Sequence, residues 1–366
     1  MKSRRVRLSD IAELTVGFVG NMTKQYKDEG VKFLRSLNIK PFSIVEDDLK
    51  YISREFNESL RKSILHENDL IIVRTGMPGT CCVVSKDYEG CNCADVVLVR
   101  PNLQVVNPHY LAAYINVWGK KQVENNKVGA IQKHFNVKSA EEMLIDLPDL
   151  ESQNKVAKIL CDLNDKIISN DKINDYLYQM AYAEYMHMFY GKAPNTKLGN
   201  VIIEHPKSSV QVGEAKEQFG NIPFFTSGEA IYRWTESFVS DRSIFLNTGG
   251  NADIKFYVGN AAYSTDTWCI SGKNNLSDYV YLMLKSIKLE LDQKFFQGTG
   301  LKHLQKPLLK DRLIYVPTNV EIDTFNADIQ PRLSMISDNI RESEKLTALR
   351  DWLLPMLLNG QATIEN

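Results

Sequence analysis

Long apolar runs are missing. No stretch of about 18 apolar residues occurs anywhere in the 366, which excludes a membrane-spanning helix. Cysteine is scarce. Six residues are no disulfide framework, so free thiols in a reducing compartment are expected. An excess of either charge is missing too: 44 Lys and Arg stand against 45 Asp and Glu. A net charge of −1 argues weakly against a protein that holds nucleic acid by bulk charge. The start, Met1–Arg5, is basic, but no apolar signal core follows it, so a cytoplasmic protein is expected. What is present is globular. Apolar residues at 43% and charged residues at 24% exclude wholesale disorder, and the length allows two domains.

The charge is unevenly placed. Residues 1–150 hold 21 basic and 19 acidic residues, and 193–317 hold 14 and 12, so each block is +2. Residues 151–192 are −1 and 318–366 are −4. A pattern that repeats prompts a search for duplication, and six segments match in order. Leu8-Ser9-Asp10 matches Leu198-Gly199-Asn200, and Phe33–Ser36 matches Phe224–Ser227. Ile72–Gly76 matches Phe245–Gly249, and Cys93–Val96 matches Ser264–Thr267. Gly129–His134 matches Gly298–His303, and Ile145–Pro148 matches Ile314–Pro317. Each match is weak alone; their order makes chance a poor explanation.

Each copy opens strand-rich. Asp69–Arg74 and Ser243–Leu246 are short apolar runs that end at glycine-bearing turns, the pattern of a buried strand and a loop. Cys82–Val84 and Val96–Val99 predict further strands. Pro108–Trp118 and Ser277–Leu291 predict helices, the second with Ser277 as its N-cap.

Each copy closes with a long helix after Pro148 or Pro317. Val156, Ile159, Leu160, Leu163, Ile167, Ile173, Leu177 and Met180 recur at near-heptad spacing. Phe325, Ile329, Leu333, Ile336, Ile340, Leu346, Leu349 and Leu353 do the same. Asn170 and Asn339 interrupt the two stripes at matching places. A narrow stripe on a long helix asks for a partner helix, so the two are expected to pair, with Leu163, Ile167, Asn170, Leu177, Ile336, Asn339 and Leu346 at the packing face. Pro331 predicts a local kink. The fold class expected is α+β with internal duplication: two mixed α/β domains, 1–150 and 193–317, separated by two long antiparallel coiled-coil helices, 151–192 and 318–366, about a pseudo-twofold.

Catalytic signatures fail one by one. Asn107-Pro108-His109-Tyr110 resembles the loop with which adenine-N6 methyltransferases hold a flipped base, but no glycine-rich cofactor loop accompanies it. A helix start with Pro in its first turn explains the same residues. Asp253 and Lys255, with Asp241 upstream, outline a nuclease acid cluster that the first copy lacks. Cys81, Cys82, Cys91 and Cys93 lack zinc-knuckle spacing. No phosphate-cradling loop and no nucleophile elbow is present. What remains are loop residues suited to nucleic acid: Arg35, Ser36, Arg74, Thr75, Gln132, Lys133 and His134 in the first copy, with Ser227, Thr248, Lys255, Lys302 and His303 in the second.

At this point the chain resembles the DNA specificity subunit of type I restriction-modification systems. The carrying segments are VRLSDIAELTVGF, GAIQKHFNV and GTGLKHLQK ahead of DLPDL and YVPTN, and LTALRDWLLPMLLNGQ. The resemblance implies two target-recognition domains, each reading half of a split double-stranded DNA target. It implies that the helices act as spacer and dock two methyltransferase subunits, which use S-adenosylmethionine. It also implies restriction subunits that use ATP and Mg, and a specificity chain with no cofactor or catalysis of its own. Two other readings stay open: a self-contained adenine methyltransferase or nuclease on the residues just named, and a coiled-coil scaffold that binds no DNA.

Overall fold

The computed structural model describes residues 3–119, 121–122, 135–218 and 220–362. Its contacts divide the chain into two units, Met1–Ile167 with Lys345–Asn366, and Ile168–Glu344.

In the first unit the central sheet has four antiparallel strands, β1 (Ala12–Val16), β2 (Leu70–Val73), β3 (Cys81–Val83) and β4 (Val96–Pro101), in the order β1-β4-β2-β3. Leu-Ile-Ile-Val fills β2 because both faces of that strand are buried. Beside it, Val31–Leu34 pairs antiparallel with Lys50–Ile52 and parallel with Asn92–Cys93. Helix α1 (Pro108–Tyr114) continues into a wider turn over Ile115–Gly119 and covers the sheet with Tyr110, Leu111 and Ile115.

The second unit repeats this strand for strand. Strands β5 (Ile202–Glu204), β6 (Arg242–Asn247), β7 (Ile254–Val258) and β8 (Thr267–Gly272) lie in the order β5-β8-β6-β7. Ile222–Phe225 pairs antiparallel with Ile231–Trp234 and parallel with Ala262–Tyr263. The strands that open and close each copy also pair with each other, Ser3–Arg7 with Leu144–Pro148 and Thr196–Lys197 with Leu313–Ile314. The duplication expected from six short matches is therefore a duplication of topology.

Helix α2 spans Leu150–Phe189, and α3 spans Ser277–Ser286. Helix α4 spans Asn319–Leu358 and continues through Pro331 without a break. Ser277 is not an N-cap. It is the first residue of α3, and its hydroxyl accepts from the Gly272 N–H instead.

Partner numbers along the long helices run oppositely. In the first unit Asn164 meets Arg350. In the second, Asn170 donates to Glu342 and Ser343, Asn339 donates to Asn174, and Phe189 packs edge-on against Phe325. The helices are antiparallel. Val156, Ala157 and Leu160 share one core with Leu354, Leu357 and Leu358; Ala181, Tyr185 and Phe189 share another with Ile322, Phe325, Ile329 and Leu333. The expected stripe needs correction: Ile173 and Met180 are exposed, and Tyr178, Ala181 and Tyr185 face inward in their place. Leu163, Ile167, Leu177 and Leu346 are half-buried, Ile336 packs on the second core, and Asn170 is fully buried.

Both long helices start at a side-chain cap. Asp149 accepts from the Ser152 N–H at 2.8 Å. In the second copy a capping box forms, with the Glu321 carboxylate accepting from the Thr318 N–H at 2.8 Å. Glu321 also takes bonds from Lys192 at 2.6 Å and from the Tyr315 hydroxyl at 2.8 Å. The Lys192 ammonium, then the Thr318 N–H and Tyr315, hold its carboxyl down at about 2, below the ordinary 4.5. Because the folded value is depressed, this contribution is present above pH 4.5 and is lost as pH falls toward 2. Urea unfolding across that window is expected to show a shallower acid loss for Glu321→Gln than for the parent; equal slopes would remove Glu321 from the acid-sensitive set.

Candidate functional site

In the first unit three loops converge on one aspartate, and in the second two of the matching loops do. The chain leaves the small sheet at Cys93 and enters the central sheet at Val96, and the corner between them holds Asp95. Asp95 sits at φ 53°, a left-handed conformation that Asp tolerates better than most side chains. Its neighbours are the loops that follow the adjoining strands. Ser36 Oγ donates to the Asp95 carbonyl at 3.1 Å. Thr75 Oγ1 donates to its carboxylate at 2.8 Å, and Arg74 pairs with the other carboxylate oxygen at 3.3 Å. The Asp95 N–H donates to the Phe18 carbonyl at 3.2 Å.

The second unit builds the same corner at Asp266. Ser227 Oγ donates to the Asp266 carbonyl at 2.7 Å, and Thr248 Oγ1 donates to it at 2.9 Å. Four of the sequence candidates, Ser36, Thr75, Ser227 and Thr248, are thus brought together by two aspartates that were not candidates. The signal was present: Asp95 and Asp266 occupy matching positions in one of the six paired segments.

The Lys-His segment stands beside the second corner. The Gly250 N–H donates to the Lys302 carbonyl at 3.0 Å, the Leu304 N–H donates to the Thr248 carbonyl at 3.0 Å, and His303 bridges to Gly249. Gln132, Lys133 and His134 lie outside the described residues. Phe135, which is described, accepts from Arg74 Nε at 3.1 Å.

The basic candidates are turned onto the protein. Arg35 pairs with Asp48 at 2.8 Å, and Lys50 holds the same carboxylate at 2.6 Å. Together they keep Asp48 down at about 2. Lys255 donates to the carbonyls of Thr226 and Gly228, and burial lowers its pKa. Lys302 pairs with Asp292 at 3.2 Å, while the His303 side chain is exposed. These groups brace loops. The exposed tips are apolar: Val19, Leu37 and Met77, one on each loop tied to Asp95, and Leu301 beside the second corner.

The enzyme residues are structural. Asn107 caps α1 by accepting from the N–H groups of His109 and Tyr110. Tyr110 is fully buried and donates to the Asp146 carbonyl at 2.9 Å, so it offers no stacking face. Among the described residues no group of His, Cys, Asp and Glu could hold a metal ion. Burial pushes the thiols of Cys81, Cys82, Cys93 and Cys269 up, the opposite of an activated nucleophile.

Comparison with known proteins follows the same division. Residues 2–179 match the family described as type I restriction modification DNA specificity domain. A type I restriction enzyme MjaIX specificity subunit from Methanocaldococcus jannaschii is 21% identical over 270 residues, covering 61% of this chain and 62% of that protein. The EcoBI specificity subunit of Escherichia coli is 22% identical over 132 residues, covering 36% of this chain and 28% of that protein. The matches thus span less than two thirds of either relative. The crystal structure of a type I restriction-modification S subunit from M. genitalium superposes with a TM-score of 0.62 at 12% identity, covering 97% of this chain and 96% of that one. At that identity the likeness is one of fold, and it extends over both copies.

Proposed function

We propose that the chain is a type I restriction-modification specificity subunit, the sequence-reading, non-catalytic component of a DNA adenine methylation and restriction complex; the match of residues 2–179 to the DNA specificity domain supports this. Each strand-rich domain reads one half of a bipartite duplex target. One observation carries the reading: matching loops are locked on Asp95 in one copy and on Asp266 in the other, and both corners present exposed tips. Rigid loops with exposed ends suit base edges, and an apolar tip such as Met77 or Leu301 suits a thymine methyl group. The two tip sets differ, so the two half-sites differ.

Binding strength is supplied jointly. With a net charge of −1 the chain relies on partners for much of the phosphate attraction. The partners are two methyltransferase subunits bringing S-adenosylmethionine, and restriction subunits bringing ATP and Mg. Exposed Tyr176 and Met180 on α2, and exposed Leu349 and Trp352 on α4, are apolar positions suited to docking methyltransferase helices.

The test is to express the chain with type I methyltransferase subunits and map methylated adenines across a genome. A single split sequence, methylated only when both components are present, is expected. Methylation by the chain alone, or an unchanged pattern without it, would overturn the proposal.

A further inference from the structure

Two copies of one topology act as internal controls, because a position that differs in kind marks something one copy does alone. Val97 directly follows the segment Cys93–Val96, as Trp268 directly follows its match Ser264–Thr267. Leu14 pairs with Val99 as Glu204 pairs with Ile270. Val137 and Lys306 each open the five-residue helix that follows the Lys-His segment. In the first copy the three residues are apolar: Val97 is core, and Leu14 and Val137 pack against it. In the second copy the corresponding trio, Glu204, Trp268 and Lys306, frames a cavity of about 370 Å³ that also reaches Lys207, His205 and Asp266.

The charges in that cavity do not cancel. Glu204 is already engaged, accepting from Trp268 Nε1 at 3.0 Å and from Lys310 at 2.8 Å. His205 is bonded to Ser271 Oγ at 2.6 Å, and burial lowers its pKa, so it adds no charge at neutral pH. Lys306 lies over the Trp268 ring at 5.2 Å, and among the described residues neither it nor Lys207 makes an ion pair. Burial lowers the Lys306 pKa; Glu204 opposes the shift, and nearby Lys207 and Lys310 add to it. Two carboxylates, of Glu204 and Asp266, are exposed there, but Lys310 takes up that of Glu204, so Lys306 and Lys207 face the cavity against the Asp266 carboxylate alone. The loop bonds at Asp266 go to its carbonyl, so the carboxylate is dispensable for the corner.

We propose that this cavity is a phosphate subsite for the DNA strand engaged by the second domain, with Lys306 and Lys207 as its donors and no counterpart among the described residues of the first domain. The assignment rests on the DNA-reading function above and adds an asymmetry that the function does not require. An anionic oxygen in the cavity would satisfy the partly desolvated Lys306 ammonium, take a second donor from exposed Lys207 and lie beside the Thr248 turn.

The test measures affinity of the complex with its methyltransferase subunits for a duplex carrying the target, at several salt concentrations, with melting curves alongside. Lys306→Ala is expected to weaken binding roughly tenfold. It is also expected to flatten the plot of log affinity against log salt by ~0.9, as is Lys207→Ala. Lys306→Arg keeps the slope, and Asp266→Asn tightens binding. Unchanged slopes in both alanine variants, with melting temperatures intact, overturn the subsite and leave the DNA-reading function standing. No DNA binding by the parent complex overturns both. Inorganic phosphate is the second probe. If it raises the melting temperature of the parent but not of Lys306→Ala, while the DNA slopes stay equal, the cavity holds free anions and the DNA-strand assignment fails.

Discussion

Arg242→Met is expected to cost the fold about 3–5 kcal/mol, because it leaves a carboxylate buried with no charge partner. Asp278 on α3 is 0% exposed, and the Arg242 guanidinium on β6 is its ion-pair partner. The same guanidinium donates to Ser334 Oγ at 2.7 Å and to the Gln330 carbonyl at 3.1 Å, so one side chain ties β6, α3 and α4 together. Burial raises the Asp278 carboxyl to about 6 even with Arg242 beside it. For an acid the sign is then fixed. A folded value above the ordinary 3.8 means that stability is highest below pH 4 and falls as pH rises toward 6. Without Arg242 the value rises further, so the deficit of Arg242→Met should be larger at pH 8 than at pH 5. The pair Arg242→Met with Asp278→Leu should recover most of the loss, since an apolar pair of similar volume avoids the stranded charge. Denaturant unfolding at the two pH values checks all three statements; an equal deficit at both would mean that Asp278 is not the group left unpaired.

Much of the architecture was legible in the residues, and the reasons are physical. Leu70–Val73 and Arg242–Asn247 announce themselves because a strand buried on both faces must be a continuous apolar run. The long helices announce themselves by length and by lack of glycine. Which face of α2 turns inward was less legible. Its first half packs in the core of one unit and its second half in the core of the other, so no single spacing of apolar residues serves the whole helix. Tyr178, Ala181 and Tyr185 follow the local core, and Ile173 and Met180 are left outside.

The candidate site divides in the same way. Ser36, Thr75, Ser227 and Thr248 are legible because they are small polar residues at matched positions in both copies. Asp95 and Asp266 were missed because an acid looks wrong for a DNA-facing loop. Their role is to accept bonds that fix two matching loops in each copy, which composition cannot express. Arg35, Arg74 and Lys255 look like free cations in the sequence, yet each faces carbonyls or a carboxylate that only folding brings near. The cavity at Trp268 and Lys306 was invisible for another reason: it is a difference between the copies, and sequence matching attends to what they share.

The largest functional effect is expected from exchanging one copy whole. Thr196–Lys197 pairs with Leu313–Ile314, so the second domain enters and leaves its helices at adjacent points and forms a graftable piece. Its replacement must keep the apolar face that meets Ala181, Tyr185, Phe189, Phe325 and Ile329, since these helix residues complete its core. Corner, tips and cavity all travel with residues 196–314. The first domain, closed by Ser3–Arg7 against Leu144–Pro148, keeps its own corner at Asp95. The decisive measurement is the methylated sequence in cells carrying the methyltransferase subunits and the chain with residues 196–314 taken from a relative of different specificity. A new second half-site, with the first half-site unchanged, is the expected result. Simultaneous change of both halves, or of neither, would contradict the claim that each copy reads its own half.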